Sequence, residues 1–144
     1  MVYGPADHSF SEDFLHDLDA KLRITNLPMM IAWDFNLIRS VGDKNNNLLD
    51  FSLMGFFNDS IAHHPLRELR GVSGRFSWSN NQINPTMSLL DRFLVSATWE
   101  SIFHLCSVKL ETRLGSDHSP LLISSGEFEI KRPRRFYMER QWFS

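Results

Sequence analysis

Asp34 and Asn36 stand two residues apart at the end of an apolar run, Met29-Met30-Ile31-Ala32-Trp33. Residues two apart in an extended chain share a face, so both side chains can enter one cleft. A carboxylate there can orient or deprotonate a water, and an amide can donate to an anionic oxygen. Asp and Asn are also ordinary choices for a strand-to-loop turn. Asp91 lies within Leu89 to Val95, on the same face as Phe93 and Val95, where a charge is costly unless paired. Its partner is either an arginine, such as Arg92 or Arg113, or a histidine that it orients. Asp117 and His118 belong to Ser116-Asp117-His118-Ser119-Pro120. Pro120 biases Ser119 toward an extended backbone and stiffens this loop. An imidazolium on it could face a scissile phosphate while the carboxylate faces a metal ion or water. A lone Asp-His pair is also a common surface turn. Taken together, the carboxylates, the amide and the imidazole point to phosphodiester hydrolysis.

Other routes to chemistry are poorly supplied. His63-His64 is an adjacent pair, and neighbours on a helix point about 100° apart. His8, His16 and His104 lack metal-ligand spacing. Cys106, the one cysteine, can form neither an internal disulfide nor a thiolate cage, and it reads as a core residue. Neither Gly-rich phosphate loop, Walker or dinucleotide, is present. Net charge is −2, so any nucleic-acid contact must be local. The clearest basic run is Lys131-Arg132-Pro133-Arg134-Arg135, a solvated linker or a phosphate-binding segment. Met1-Val2-Tyr3-Gly4-Pro5 has neither the basic nor the apolar region of a signal peptide, and no apolar stretch reaches the length of a membrane span. The chain therefore reads as intracellular.

The elements that must position these groups follow from the pattern of apolar residues. With 42% apolar residues and 12 Phe, the chain can build a single aromatic-rich core. Val2-Tyr3 before Gly4-Pro5 reads as a strand end. Ser9-x-x-Glu12 is a capping box. It precedes Phe10, Phe14, Leu18 and Leu22 at intervals of four, an amphipathic helix ending near Thr25-Asn26. Met29 to Trp33 reads as a buried strand, and Gly42 to Asn47 as a surface loop. Asp50 caps a second helix with a stripe of Phe51, Met54, Phe57 or Phe56, and Ile61, ended by His63-His64-Pro65. Short strands follow: Arg75 to Ser79, Ser88 to Ser96, Leu105 to Leu114 and Leu121 to Ser124. A helical turn spans Ala97 to Phe103. This order suits an α+β layered domain over residues 1–126, with a basic linker or tail over 127–144 leading to a downstream region.

Several ordered segments also carry a resemblance. Val2-Tyr3-Gly4-Pro5, Trp33-Asp34-Phe35-Asn36, Gly74-Arg75-Phe76-Ser77-Trp78-Ser79-Asn80, Ser88-Leu89-Leu90-Asp91-Arg92-Phe93-Leu94-Val95-Ser96 and Ser116-Asp117-His118-Ser119-Pro120 run through nearly the whole chain. Arg135-Phe136 and Trp142 continue the series. Together they resemble the endonuclease/exonuclease/phosphatase superfamily, most closely the endonuclease domain of plant LINE-type (non-LTR) retrotransposons. The resemblance implies part of a DNase I-like four-layer α/β/β/α sandwich and phosphodiester cleavage in DNA with Mg²⁺ or Mn²⁺. It implies that Asp34 activates or orients the water and that Asn36 and Tyr3 contact the phosphate. His118, oriented by Asp91, stabilises the phosphorane, and Asp117 serves the metal and water side. Other branches of the superfamily act on phosphomonoesters or phosphoinositides. A non-enzymatic remnant binding nucleic acid is a further reading.

The chain departs from the family pattern in several places. Ala6 stands where the family often has Asn, Trp33 where it has Gly, and Leu89 where it has Arg. The family's upstream Asn and metal-ligating Glu have no counterpart. The expectation is therefore the C-terminal half of such a domain. An upstream half and a downstream reverse transcriptase would complete an intact element, acting in the nucleus. Half a sandwich exposes an apolar sheet face, so self-association is expected.

Overall fold

The computed structural model describes residues 4–71 and 73–126. Tyr3 and the basic segment 127–144 lie outside the described residues.

The fold begins with a 3-10 turn, His8–Phe10, and helix α1, Ser11–Arg23. The expected capping box does not form. Asp7 caps instead, its carboxylate accepting the Ser9 N–H at 2.9 Å, so the turn opens two residues before the amphipathic stripe. Leu15 and Leu22 are buried, with Phe14 and Leu18 packed beside them. On the outer face, Asp17–Lys21 and Asp19–Arg23 form i,i+4 pairs, each a small contribution. Helix α2, Phe51–His63, is capped by Asp50, which accepts the Leu53 N–H at 2.9 Å. Its buried stripe is Leu53, Phe57 and Ile61, a strict i,i+4 row. Phe51, expected in that row, is 63% exposed because it lies two residues before Leu53, about 200° round the helix.

Strands β1, Met30–Asp34, and β2, Leu66–Leu69, flank a central β5, Asp91–Ser96, all antiparallel neighbours. Among the described residues β1 is an outer strand of this sheet rather than a fully buried one, and Met30 and Ala32 are exposed. A small hairpin pairs β3, Trp78–Ser79, with β4, Met87–Ser88. Helix α3, Ala97–Ile102, is capped by Ser96. Strands β6, Cys106–Leu110, and β7, Leu121–Ser125, form a second sheet. The expected continuous strand from Ser88 to Ser96 is two strands, broken at Leu89-Leu90, where the chain leaves the hairpin for the main sheet.

Side chains alternate across β5. Leu94 faces the helices with Phe35, Leu37, Phe57 and Ile31. Phe93 and Val95 face the second sheet with Val108, Leu121, Ile123 and the half-buried Cys106. The described residues thus stack helices on one sheet face and a second sheet on the other. Each fully buried Phe or Leu contributes about 1.5–3 kcal/mol. Arg92, on the helix side of β5, is fully buried, and its guanidinium pairs with Asp43 and Glu68 at 2.8 Å each. Trp33 also turns to the helix side, against Phe14, and its indole N–H is buried without a partner. No helix among the described residues is long and apolar enough to cross a membrane.

Candidate active site

The register of β1 against β5 builds the site. Asp34 lies directly opposite Asp91. Phe35 donates to the Leu90 carbonyl at 3.0 Å, which makes residues 35 and 90 a hydrogen-bonded pair. Residues 34 and 91 are therefore a non-hydrogen-bonded pair, the kind with the closer side chains. Both point away from the helices, on the face of Phe93. Like charges opposed in this way repel. Neither carboxylate has a lysine or arginine within ion-pair distance among the described residues. Both instead meet His118, whose Nδ1 is 2.8 Å from Asp91 Oδ2 and whose Nε2 is 3.8 Å from Asp34 Oδ2. The three ligand atoms lie within 4.8 Å of one another, a set that could hold a metal ion.

The electrostatics follow from this geometry. Burial pushes the Asp34 carboxyl above 3.8; the Asn36 amide pulls against it, and the Asp91 charge adds to the rise. Burial alone would lower His118. The Asp91 hydrogen bond and the charges of Asp91, Asp34 and Asp117 outweigh it and leave the imidazole above 6.5. An ionised carboxylate only accepts, so Nδ1 of His118 is the donor to Asp91. The arginine alternatives for Asp91 are taken up elsewhere. Arg92 is buried on the opposite face, and Arg113 donates to the Asp117 carbonyl at 3.3 Å.

Asn36 adopts φ +52°, a left-handed conformation that Asn tolerates better than most residues. Its N–H returns to Asp34 Oδ1 at 3.1 Å, and its side-chain N–H₂ donates to the Gly4 carbonyl at 2.9 Å. Gly4 in turn donates to the Asp34 carbonyl at 3.0 Å. A Cβ on Gly4 would lie 2.4 Å from the Phe35 carbonyl oxygen, so only glycine allows this approach. Gly4 is thereby pinned beside Asp34.

Asp117 is exposed, and its carboxylate accepts the Trp78 indole N–H at 3.0 Å, which holds its pKa below 3.8. A cavity of about 940 Å³ joins Asp34, Asn36, Trp78, Asp117 and His118. The expected site residues within the described part line this cavity, except Asp91, which reaches it through His118, and Trp78 joins them. Ser77 is less conspicuous. It is 1% exposed, its hydroxyl accepts the N–H groups of Leu90 and Asp91 at 3.0 Å each, and its carbonyl accepts the Ser119 N–H at 2.6 Å. In the sequence it is only a small polar residue in an alternating aromatic segment.

No family model and no curated protein matches the chain. Among solved structures it is similar to the endonuclease domain of TRAS1, a telomere-specific non-LTR retrotransposon. The TM-score is 0.67 at 14% identity, over 88% of this chain and 56% of that one. The chain has the α+β fold of DNase I-like endonuclease domains and spans little more than half the length of this neighbour.

Proposed function

We propose that the chain is the C-terminal part of a DNA endonuclease domain of the LINE-type retrotransposon kind, hydrolysing phosphodiesters with a divalent cation. The observation that carries the reading is the cross-strand pair Asp34–Asp91 bridged by His118. Asp34, raised by burial and by its neighbour, is suited to orient or deprotonate a water. An imidazolium at His118, fixed by Asp91, is suited to the negative charge that builds on phosphorus-bound oxygens. The required charge state is Asp34 ionised and His118 protonated. Asn36 and Tyr3 contact the phosphate in this reading, and Asp117 serves the water and metal side.

The donor set fits a cation. Two facing carboxylates without a lysine or arginine partner are relieved by one, and Asp34 would hold it with water completing the shell. Bound there, Mg²⁺ or Mn²⁺ would neutralise the phosphate oxygens. By the family resemblance, its principal ligand would be the family's metal-ligating glutamate, which precedes the segments that carry the resemblance. DNA is the partner and the nucleus the place of action in this reading.

The test is nicking of supercoiled plasmid with Mg²⁺ or Mn²⁺, alone and with the upstream segment of the element supplied. His118→Ala and Asp34→Ala are each expected to abolish it. Nicking that survives both changes removes the site. Phosphate release from small phosphoesters without nicking moves the chain to the phosphomonoesterase branch. Salt-sensitive DNA binding without either activity leaves a remnant that binds nucleic acid.

A further inference from the structure

We infer that Ser77 is a positioning residue: one buried side chain sets the spacing between the strand that carries Asp91 and the loop that carries His118. The inference rests on the reading of that pair as part of a hydrolytic site. Four bonds meet at this one residue. The hydroxyl oxygen takes two consecutive amides, Leu90 and Asp91, where the chain enters β5. The Ser77 carbonyl takes the Ser119 N–H, one residue past His118. The Ser77 N–H donates to the Ser88 carbonyl at 3.0 Å and fixes the hairpin behind it. The two neighbours of Ser77 in β3 extend the seam. Trp78 bridges to His118, and the Ser79 N–H donates to the Asp117 carbonyl at 3.0 Å.

Ser77 does not line the cavity at the site. Its oxygen is committed to two backbone amides, so it acts through Asp91 rather than on a substrate. Alanine keeps the backbone bonds and deletes only that oxygen. Two amides at the root of Asp91 then lose their acceptor and must shift to find another. The Asp91–His118 bond is 2.8 Å and tolerates little displacement before it is lost.

The readout is the proton on the His118 ring. Asp91 holds it on Nδ1, whereas a free neutral histidine ring favours Nε2. The experiment is ¹⁵N NMR of ring-labelled protein in EDTA, at a pH where His118 is neutral. It compares wild type, Ser77→Ala, Ser77→Thr and Ser79→Ala. Ser79→Ala removes a neighbouring buried hydroxyl that, among the described residues, accepts only the Asn81 N–H. Ser77→Ala is expected to move His118 toward the Nε2–H form, while Ser77→Thr and Ser79→Ala keep Nδ1–H. Where nicking is measurable, Ser77→Ala should lower kcat about tenfold to a hundredfold with KM for DNA unchanged.

An unchanged tautomer in folded Ser77→Ala overturns the inference. So does an equal shift in Ser79→Ala. If Ser77→Ala does not fold, Ser77→Cys replaces it, since sulfur keeps the volume and weakens the acceptor. A mixed tautomer is then expected, and an unchanged one is the refutation. Absence of nicking in the wild type would count against the proposed function alone, because the tautomer comparison needs no turnover.

Discussion

Replacing Arg92 by Met tests whether the buried ion network fixes the strand that carries the site. Arg92 donates to Glu68 and Asp43 at 2.8 Å each, to the Leu89 carbonyl at 2.7 Å and to the Leu37 carbonyl at 3.4 Å. The carboxylates are 4% and 6% exposed at the side chain, Asp43 and Glu68 respectively. Methionine fills much of the volume but leaves both charges behind. Breaking a buried pair by removing one partner costs about 3–5 kcal/mol. Glu68 keeps Arg39 at 2.7 Å, and Asp43 keeps the Arg39 and Ser40 amides. The loss should therefore fall near the lower end, about 3 kcal/mol, a large share of a total of about 5–15 kcal/mol. The urea midpoint should drop by about 1–3 M.

The pH dependence sharpens this test. Burial alone would raise the Asp43 carboxyl, but Arg92, the Arg39 amide and Ser40 outweigh it and hold it below 3.8. A depressed carboxylate contributes stability that is present above 3.8 and lost as pH falls through the lowered folded value. The variant lacks the main cause of that depression. The gap between wild type and Arg92→Met, read by urea unfolding, should be widest at pH 7 and narrow below pH 3.8. A gap of the same size at both pH values, or none at pH 7, would refute the reasoning. Adding Asp43→Asn to Arg92→Met should recover part of the loss at pH 7.

Three further outcomes follow from the geometry. Asp91→Asn should lower the His118 pKa, measured by NMR titration. The raised value in the wild type contributes stability fully present below 6.5 and lost as pH rises through the folded pKa. The variant should lose less stability across that window, and an unmoved His118 titration counts against the pair. Gly4→Ala should lower Tm by several degrees. It disrupts the Gly4–Asp34 and Asn36–Gly4 bonds, worth about 1–3 kcal/mol together, and an unchanged Tm would mean the approach is not tight. An apolar cleft of about 530 Å³ beside Ala32, Phe93 and Leu114 is left open, so light scattering should show concentration-dependent self-association that Leu114→Asp reduces. A monomer at every concentration would show that this face does not self-associate.

The sequence was most legible where local chemistry decides. Asp50 before an apolar run does cap α2, and His63-His64-Pro65 does end it. Ala97–Ile102 is helical after the Ser96 cap. It was least legible where the third dimension decides. The continuous apolar run Met29 to Trp33 suggested burial on both faces, yet among the described residues it is an outer strand, and the face toward His118 holds Ala32 and Asp34. Asp91 carried two possible partners because alternation places a charge on a face without naming what lies over it. Only the antiparallel register, in which 34 meets 91, and the loop that returns His118 above them decide for the histidine. Ser77 was invisible for the same reason: its bonds join segments separated by 11 to 42 residues.

Adjacent residues of β5 carry opposite charges to opposite sides of the sheet, Asp91 to His118 and Arg92 to Asp43 and Glu68. A strand slipped by one residue exchanges faces. Insertion or deletion of a single residue between the hairpin and β5 would thus drive Asp91 into a chamber already holding two carboxylates. It would also set Arg92 against the imidazole. The first placement is repulsive and the second draws Asp34 away from His118, so a frame error here is resisted by the fold itself before catalysis is at stake. Two neighbouring letters of sequence act as a checksum on alignment. Lineages in which this strand drifts in length should lose solubility and site together, whereas point changes at Asp91 can silence the site and leave the scaffold standing.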